Sequence, residues 1–448
     1  MKFIINTLRE AARTPGFSLL YICGVAFTIA FTMIYGMLLY AQLGPVYPEY
    51  NRNSSFYINR TLIFGEHSTM GNCLSRDFIE RFLRDSLKSA EKMTAMVSYN
   101  FGYPMVQTDG HGPEFHVETR LVEPSFFDFY SYEFKAGKPF TESDFDSNLR
   151  VAAVSDKVAH RLFSTPEEAV GGKIRIDHVD YRICGVFREG SALCPDSYGE
   201  VFIPYSTSVG FSGKNSSPEL YAGPLRAVIK TKPGKVKEIR RELSDICRRI
   251  NAIDTTSSKI YLSDVQDHAE RVLLNREVNY DKSSYGKEYT VMESASWLKM
   301  CRPLLIGLLV LLLIPALNIS GLIGARMDRL NADLAVRRCF GATRGRIMRM
   351  VMNENLVLTL TGGILGLVAA WLIASFAGDT LLMLSPVGYG SGISFGSDAS
   401  FLTGEMAFSP ILFAATLILC IILNILSAWL PAHRAMRRQI TESLNSKR

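Results

Sequence analysis

The sequence predicts a membrane protein of α+β class, with four transmembrane helices and a large mixed α+β domain inserted between helices 1 and 2. The first observation is that four long segments contain no Lys, Arg, Asp, Glu or His: 14–48, 303–325, 355–378 and 406–432. The second is that about 254 residues of polar-rich sequence separate the first segment from the other three. The third is an uneven distribution of positive charge among the remaining segments.

The four charge-free segments are long enough to cross a bilayer. Each holds at least 23 residues, and about 20 apolar residues of helix cover the roughly 30 Å hydrocarbon core. Because lipid cannot satisfy exposed backbone groups, such segments form helices. The first segment could instead be a cleaved signal peptide. However, it is far longer than a signal's apolar region, and Leu39-Tyr40-Ala41 is a poor cleavage site, so we interpret it as a retained anchor.

The charge distribution predicts which side each segment occupies. Residues 49–302 carry 34 Lys and Arg against 35 Asp and Glu, and residues 379–405 have a net charge of −3. The segments 1–13, 326–354 and 434–448 together carry a net charge of +10. Short basic loops mark the cytoplasmic side, so both termini should be inside and the large domain outside. The alternative is that these arginines bind nucleic acid or anionic lipid, and lipid contact is compatible with this topology.

The large domain shows signals of both helices and strands. Helical periodicity covers 76–92 and 235–250, and Ser155 is placed to cap a short helix ending at Phe163. Residues 264–300 are partly periodic and predict a helical stalk that leads to the second span. The length of the domain allows two lobes. Strands are predicted at 150–154, 173–176, 181–187, 201–204, 226–230 and 259–262, with a hairpin across 177–180.

Four of the eight cysteines fall in the predicted outer domain, where disulfides can persist. They are Cys73, Cys184, Cys194 and Cys247, and four cysteines allow three pairings. Cys184 and Cys194 are close in sequence across a predicted loop, so we expect them to pair. No cysteine or histidine spacing is typical of a metal site.

The four charge-free segments hold no charged side chain, and Glu354 falls at the inner boundary of the third span, which disfavours transport driven by protons or sodium. Four helices also enclose too little space for a pore. Gly362, Gly363 and Gly366 give the third span a face of small residues that favours close helix contact. This face could pack within the subunit or form the seam of a dimer, and the sequence leaves both open.

The loop between the second and third spans carries the most specific pattern. It predicts two helices broken at Gly341: a basic amphipathic helix containing Leu330, Leu334 and Phe340, then a helix that runs into the membrane. The pattern resembles the cytoplasmic loop of MacB/FtsX-type ABC transporter permeases. Asp333 and Ala335 stand where that family usually has Glu and Gly. The matching positions are Asp333-Leu-Ala-Val-Arg337, Gly341-Ala342-Thr343, Ile347, Glu354, Gly362-Gly363 and Gly366.

The resemblance extends over nearly the whole chain. Residues 6–13 are similar to the family's N-terminal amphipathic helix, and the tail from Pro431 is similar to the family's tail, except that Gln439-Ile440 replaces the common Asp-Pro. The segments that resemble the MacB-type periplasmic core domain are 122–127, 137–140, 154–163, 172–173 and 181–186.

The resemblance implies the role of each part. A short coupling helix should dock on a separate ABC ATPase subunit through Asp333, Leu334, Val336, Arg337, Arg338, Gly341, Ala342 and Thr343. The resemblance also predicts the order of the segments. Transmembrane helices are expected at 17–41, 301–325, 354–378 and 406–432. The cytoplasmic parts are an amphipathic helix at 1–16, a loop at 326–353 and a tail at 433–448, and the periplasmic parts are a core domain with stalk at 42–300 and a short loop at 379–405.

The chain is predicted to have no catalytic residue of its own and to need no cofactor. ATP-binding loops read GxxxxGK[ST], whereas Gly185-Val-Phe-Arg-Glu-Gly190-Ser191 lacks the lysine. No HExxH pattern is present, and Phe211-Ser212-Gly213 lacks the second spacing residue of G-x-S-x-G. We interpret His111 and His116 as loop histidines without a metal.

The resemblance therefore predicts a permease subunit in the inner membrane, driven by the separate ATPase and paired as a homodimer or a heterodimer with a related permease. Its movement should serve export from the periplasm, with a periplasmic adaptor or an outer-membrane channel as further partners. The alternative is a non-transporting regulator or scaffold that activates a cell-envelope enzyme or signals across the membrane. A third possibility, an uncoupled receptor, predicts no ATPase partner. Nucleic acid is not expected to bind.

Overall fold

The computed structural model describes residues 15–65, 69–98, 104–108, 114–208, 220–232, 235–253, 259–274 and 340–383, with parts of 301–313 and 413–425 and the single positions 321 and 336. The chain divides into two compact units. One comprises Met1–Tyr40, Cys301–Pro386 and Gly404–Arg448, and the other comprises Ala41–Met300 and Val387–Thr403.

Among the described residues, two helices are long and apolar enough to cross a membrane, and most of each lies in the first unit. Helix α1 spans Pro15–Leu43, and helix α9 spans Arg344–Met383 and contains the apolar stretch Gly345–Phe376. Residues 304–311 and 413–419 are also helical, but the predicted spans at 301–325 and 406–432 lie partly outside the described residues. The predicted N-terminal helix at 1–16 lies almost wholly outside them.

The second unit is built on one sheet, which contains 14 strands within the described residues. The strands are β1 Ser55–Phe64, β2 Thr69–Leu74, β3 Ala90–Val97, β4 Met105–Gln107, β5 Phe115–His116, β6 Thr119–Val122, β7 Phe134–Gly137, β8 Val151–Ser155, β9 Lys173–Ile176, β10 Val179–Phe187, β11 Val201–Pro204, β12 Ala222–Gly223, β13 Leu225–Thr231 and β14 Lys259–Asp267. Their order is β12-β2-β1-β13-β3-β6-β11-β8-β10-β9-β4-β5, with β14 paired to β1 and β7 paired to β10. Because these pairings are continuous, the structure has a single sheet where the length allowed two separate lobes.

Short helices connect and cover the strands. They are α2 Arg76–Phe78, extended by a π-helical turn at Ile79–Arg84, α3 Ser125–Phe129, α4 Glu142–Asp146, α5 Asp156–Leu162, α6 Pro166–Ala169, α7 Val236–Ile253 and α8 His268–Leu274. The Ser155 hydroxyl accepts the Val158 N–H at 3.2 Å and caps α5, as the sequence predicts.

The mixed α+β class is confirmed, and all six predicted strands are present. The predicted hairpin is also present, because β9 and β10 pair antiparallel across a turn in which Asp177 and His178 both have positive φ. The predicted helix at 76–92 is wrong beyond Arg84, since Ala90 already pairs with β13. The predicted helical stalk is wrong before His268: Val265 pairs with Ile58 in the β1–β14 ladder.

The sheet buries apolar side chains on both of its faces. On β13, Ala227 and Ile229 belong to the core that α2 and α7 cover, whereas Val228 belongs to the other core, because successive strand residues point to opposite faces. That second core is rich in aromatic rings, including Phe126, Phe127 and Phe202. Burying one such side chain contributes about 1.5–3 kcal/mol, so both faces stabilise the sheet.

Candidate functional site

The loop before α9, which is predicted to be cytoplasmic, contains the helix break that the sequence predicts. The Phe340 N–H donates to the Val336 carbonyl at 3.1 Å, which closes a helical turn, and Gly341 then adopts φ +87°. A residue in this left-handed conformation ends a helix, and glycine adopts it without steric cost. The Arg346 N–H bonds to the Thr343 hydroxyl at 3.4 Å, so Thr343 caps the start of α9.

Only some of the predicted coupling residues can be placed. Val336, Gly341, Ala342 and Thr343 are described, whereas Asp333, Leu334, Arg337 and Arg338 lie outside the described residues. Val336 is 47% exposed and Phe340 is 87% exposed, so the end of the first helix presents apolar side chains to its surroundings. Ile347, one turn into α9, is buried.

The three glycines of the small-residue face pack against helices of the same chain. A Cβ atom on Gly366 would lie 2.5 Å from the Ala26 carbonyl oxygen, and one on Gly362 would lie 2.9 Å from Val25 Cβ. A Cβ on Gly363 would lie 2.9 Å from Leu417. These approaches between α9, α1 and the helical residues at 413–419 require glycine. They favour packing within the subunit over a dimer seam for this face.

A buried cluster of charged side chains lies where the chain leaves α1 and enters the second unit, which we call the sheet domain. We call Glu49, Arg52, Asp196, Arg226 and Arg271 the buried charge cluster; the first four are buried, and the Arg271 side chain is 25% exposed. The Arg52 guanidinium is 1% exposed and donates to Glu49 Oε2 at 2.7 Å. It also donates to the carbonyls of Ala41 at 2.6 Å and Gly44 at 3.1 Å, and to Cys194 Sγ at 2.9 Å. A buried guanidinium needs such partners for its several N–H groups.

Asp196 is the second anion of the cluster. Its carboxylate contacts Arg226 Nη1 at 2.9 Å and accepts a hydrogen bond from Arg271. Burial alone would raise the pKa of Asp196, but the guanidinium groups of Arg271 and Arg226 lower it to about 2. Asp196 therefore stays ionised at neutral pH and neutralises part of the positive charge around it.

The predicted Cys184–Cys194 disulfide is absent from the structure, in which both thiols are free. The Cys184 thiol donates to the Ala152 carbonyl at 3.3 Å, along the neighbouring strand β8. Cys194 instead contacts Arg52 within the buried loop that follows β10. Closeness in sequence does not bring the two thiols together, because β10 and the loop direct them to different partners. Among the described residues, no group of three or more His, Cys, Asp and Glu is arranged to hold a metal ion.

Glu189 lies at the start of the same loop and has a strongly raised pKa. Burial raises it from 4.5 to about 7, although Lys157, 3.8 Å away, opposes the shift. An acid whose pKa is raised by folding destabilises the folded state increasingly as the pH rises above its ordinary pKa, and the cost is fully present above the raised pKa. We expect Glu189→Gln to raise the free energy of unfolding by roughly 1–3 kcal/mol at pH 8 and to have little effect at pH 4. Denaturant unfolding at the two pH values checks this, and a gain that is equal at both would contradict it.

Sequence reasoning missed the buried charge cluster. Its members lie in four separate segments and form no local motif, so only the fold brings them together. One signal was available: Glu49 and Arg52 are the first charges after the long charge-free segment and are three residues apart. Charges so close to a membrane helix predict an anchoring contact, but not its partners.

The fold and these sites define a membrane protein that carries an α+β domain at the end of its first membrane helix. Residues 18–246 match the sequence profile of the MacB-like periplasmic core domain, and residues 305–440 match that of the FtsX-like permease C-terminal region. The chain belongs to the MacB/FtsX-type family of ABC transporter permeases.

Individual relatives are distant in sequence. The chain is 19% identical over 336 residues to the uncharacterized ABC transporter permease YknZ of Bacillus subtilis, covering 75% of this chain and 71% of YknZ. It is 23% identical over 271 residues to the macrolide export ATP-binding/permease protein MacB of Bdellovibrio bacteriovorus, covering 58% of this chain but only 36% of that protein. The crystal structure of the periplasmic region of MacB from Actinobacillus actinomycetemcomitans matches with a TM-score of 0.32 at 15% identity, covering 48% of this chain and 90% of that one.

Proposed function

We propose that this chain is the transmembrane subunit of an ABC transporter and couples ATP hydrolysis by a separate cytoplasmic ATPase to movement of its outer domain. One observation carries the proposal. The exposed apolar side chains Val336 and Phe340 lie immediately before the break at Gly341, and α9 begins three residues later. An ATPase bound to these side chains would displace the start of a helix of 40 residues, which is about 60 Å long.

The proposed topology has four spans, both termini in the cytoplasm and the domain of residues 42–300 on the outer side of the inner membrane. Support comes from the basic loops, whose net charge of +10 contrasts with −1 for residues 49–302. Close contacts of Gly362 and Gly366 with α1, and of Gly363 with Leu417, support a bundle of spans within one chain. Exposed apolar residues such as Phe27, Phe31 and Phe376 remain available to lipid.

We assign ATP hydrolysis to the partner and none to this chain. Relatives of the fused type are named ATP-binding/permease proteins, whereas this sequence has no phosphate-binding loop with the required lysine. Asp333, Leu334, Arg337 and Arg338 remain proposed ATPase contacts, together with the described residues Val336, Gly341, Ala342 and Thr343.

We further propose that the subunit works as a dimer, either with itself or with a related permease. Export from the periplasm is the favoured outcome, because a bundle of four spans transmits movement more readily than it encloses a path for cargo. Regulation of a cell-envelope enzyme is the second candidate. The outer-domain partner separates them: copurification of an outer-membrane channel or adaptor supports export, and copurification of an envelope hydrolase supports regulation.

The docking contact has a direct test. We expect Phe340→Asp to lower the amount of ABC ATPase that copurifies with the full chain by at least tenfold, since it places a charge at the apolar contact that the bound ATPase would bury. Quantitative mass spectrometry of the complex, purified in mild detergent, measures this. Reversal of Arg337 and Arg338, or Ala335→Pro, should act in the same direction.

Ile253→Asp provides the matched control. Ile253 is 79% exposed on the outer domain, so the same change there should leave ATPase recovery unaltered. Equal recovery with Phe340→Asp and wild type, at equal membrane insertion, would contradict the docking contact.

A further inference from the structure

We propose that Arg52 and His268 form a clasp. The clasp holds together the segment that leaves the first span, the segment that returns toward the second span and one buried loop. The clasp would fix the last residues of α1, Ala41–Leu43, to the sheet domain. This inference rests on the proposed function for its purpose, but its structural part stands on the contacts alone. We call residues 41–52 the exit segment, residues 188–200 the hub loop and residues 265–271 the return segment.

The exit segment is held at the end of α1. The last four carbonyls of a helix have no partner within the helix, and they carry its negative dipole end. Arg52 donates to the Ala41 and Gly44 carbonyls and is itself fixed by Glu49. A cation at this position both satisfies the carbonyls and interacts favourably with the dipole.

The return segment is held at the same helix end by His268. Its Nε2 lies 2.7 Å from the Gln42 carbonyl oxygen, and its Nδ1 lies 3.2 Å from the Tyr57 hydroxyl. A carbonyl can only accept, so Nε2 carries the proton and Nδ1 accepts from Tyr57. Burial lowers the pKa of His268, and the nearby Arg52 guanidinium lowers it further, so the imidazole is neutral and keeps this arrangement.

The hub loop joins the two segments. It connects β10 to β11, and residues 190–194 are buried although they belong to no helix or strand. On the exit side, Glu49 Oε1 accepts from the Ser197 hydroxyl at 2.7 Å and from the Ser197 N–H at 3.2 Å. On the return side, Arg271 donates to Asp196.

These contacts suit a mechanical connection because they lie in the interior of the domain and because those of Arg52, Glu49 and Asp196 are charge-assisted. The bonds of the neutral His268 are ordinary hydrogen bonds. Charge-assisted hydrogen bonds are about twice as strong as neutral ones. A partial opening would leave buried groups without partners, so the clasp should hold or release as a unit. Tyr57 strengthens this behaviour: it lies on β1, donates to His268 and packs under the Arg271 guanidinium at 4.7 Å.

Hydrogen exchange of the full chain in nanodiscs tests the clasp without any ATPase. We expect His268→Leu to speed exchange at least tenfold in peptides covering the exit and return segments, while β8, β10 and β11 keep wild-type rates. Glutamine can donate to the Gln42 carbonyl, so His268→Gln should remain within about twofold of wild type. Unchanged exchange in His268→Leu at both segments would overturn the clasp, as would equal acceleration across the whole sheet.

The second readout uses the complex with its copurified ATPase. In wild type, ATP should change exchange in the sheet domain. In His268→Leu, this change should fall at least fivefold while ATP turnover continues. A full ATP-dependent change in His268→Leu would overturn the mechanical role. If no ATPase copurifies with wild type, the proposed function fails, and the exchange rates of the protein alone still decide whether the clasp exists.

Discussion

Asp196→Asn should destabilise the outer domain by about 3–5 kcal/mol, which is the expected cost of removing one partner from a buried ion pair. Asp196 is buried and faces Arg226 and Arg271, so the neutral amide leaves two guanidinium groups without their counter-charge. Thermal unfolding of the purified full chain in detergent measures the effect. In a domain of this size the unfolding midpoint falls by about 2–4 °C for each 1 kcal/mol of lost stability, so it should fall by at least about 6 °C here.

The pH dependence of this difference has a defined sign. The pKa of Asp196 is depressed to about 2 from an ordinary value of 3.8. Its ionised form therefore stabilises the fold above about pH 4, and that contribution is lost as the pH falls toward 2. The gap between wild type and Asp196→Asn should stay constant from pH 8 to pH 5.

Asp128→Asn is the matched control for this prediction. Lys92 Nζ lies 2.6 Å from Asp128 Oδ2, but the two side chains are 41% and 74% exposed. Exposed ion pairs contribute about 0–1 kcal/mol, so this variant should unfold close to wild type. If Asp196→Asn were no more destabilised than Asp128→Asn, the buried charge cluster would not hold the domain together in the way described.

Gly366→Ala should disrupt the membrane part of the protein. Its Cβ would lie 2.5 Å from the Ala26 carbonyl oxygen and 3.1 Å from Ala26 Cα, so the α1 backbone must move away. Forcing extra volume into a packed interface costs typically 1–3 kcal/mol, and here the obstacle is backbone that cannot rotate aside. We expect a large loss of folded protein after detergent extraction, measured by size-exclusion chromatography, and a lower unfolding midpoint.

Gly345→Ala provides the control on the same helix. Nothing lies within 4 Å of the position that its Cβ would occupy. Alanine is favoured over glycine in a helix by up to about 1 kcal/mol, so this variant should match or exceed wild type. Equal behaviour of Gly366→Ala and Gly345→Ala would show that α1 and α9 do not approach as closely as the structure places them.

The sequence predicted well those features that depend on local pattern. The strand at 173–176, the hairpin that follows it and the cap at Ser155 all follow from periodicity, turn residues and side-chain chemistry within a few positions. Gly341 was identified as a helix break for the same reason, because no other residue adopts its backbone conformation as easily. The two long apolar helices α1 and α9 were predicted from charge-free length alone.

Features that depend on tertiary contacts were missed or misplaced. The helical period at 76–92 continued to Leu87 because that side chain enters the same core as Phe78, although the helix itself had already ended. Val265 fitted a helical stalk but belongs to β14, whose pairing with β1 overrides the local pattern. The buried charge cluster unites residues that are up to 222 positions apart, from Glu49 to Arg271, and its pairings arise only once the sheet has formed.

The clasp and the coupling region suggest how movement would pass along the chain. In the proposed function, an ATPase that binds Phe340 would displace the start of α9, whose glycines contact α1 directly. The end of α1 is in turn held by Arg52 and His268 within the sheet domain. The contacts of Gly366 with α1, and of Arg52 and His268 with the Ala41 and Gln42 carbonyls, are close.

The central claim is that ATP hydrolysis by a separate subunit moves the outer domain of this chain. The most direct test measures the distance between spin labels, attached through non-canonical amino acids at Ser143 and Gly345, in the nanodisc complex with its ATPase. We predict that trapping the ATPase with ATP and vanadate shifts the distance distribution in wild type and leaves it unshifted in Phe340→Asp. An identical distribution with and without ATP in wild type, while the ATPase turns over, would contradict the account.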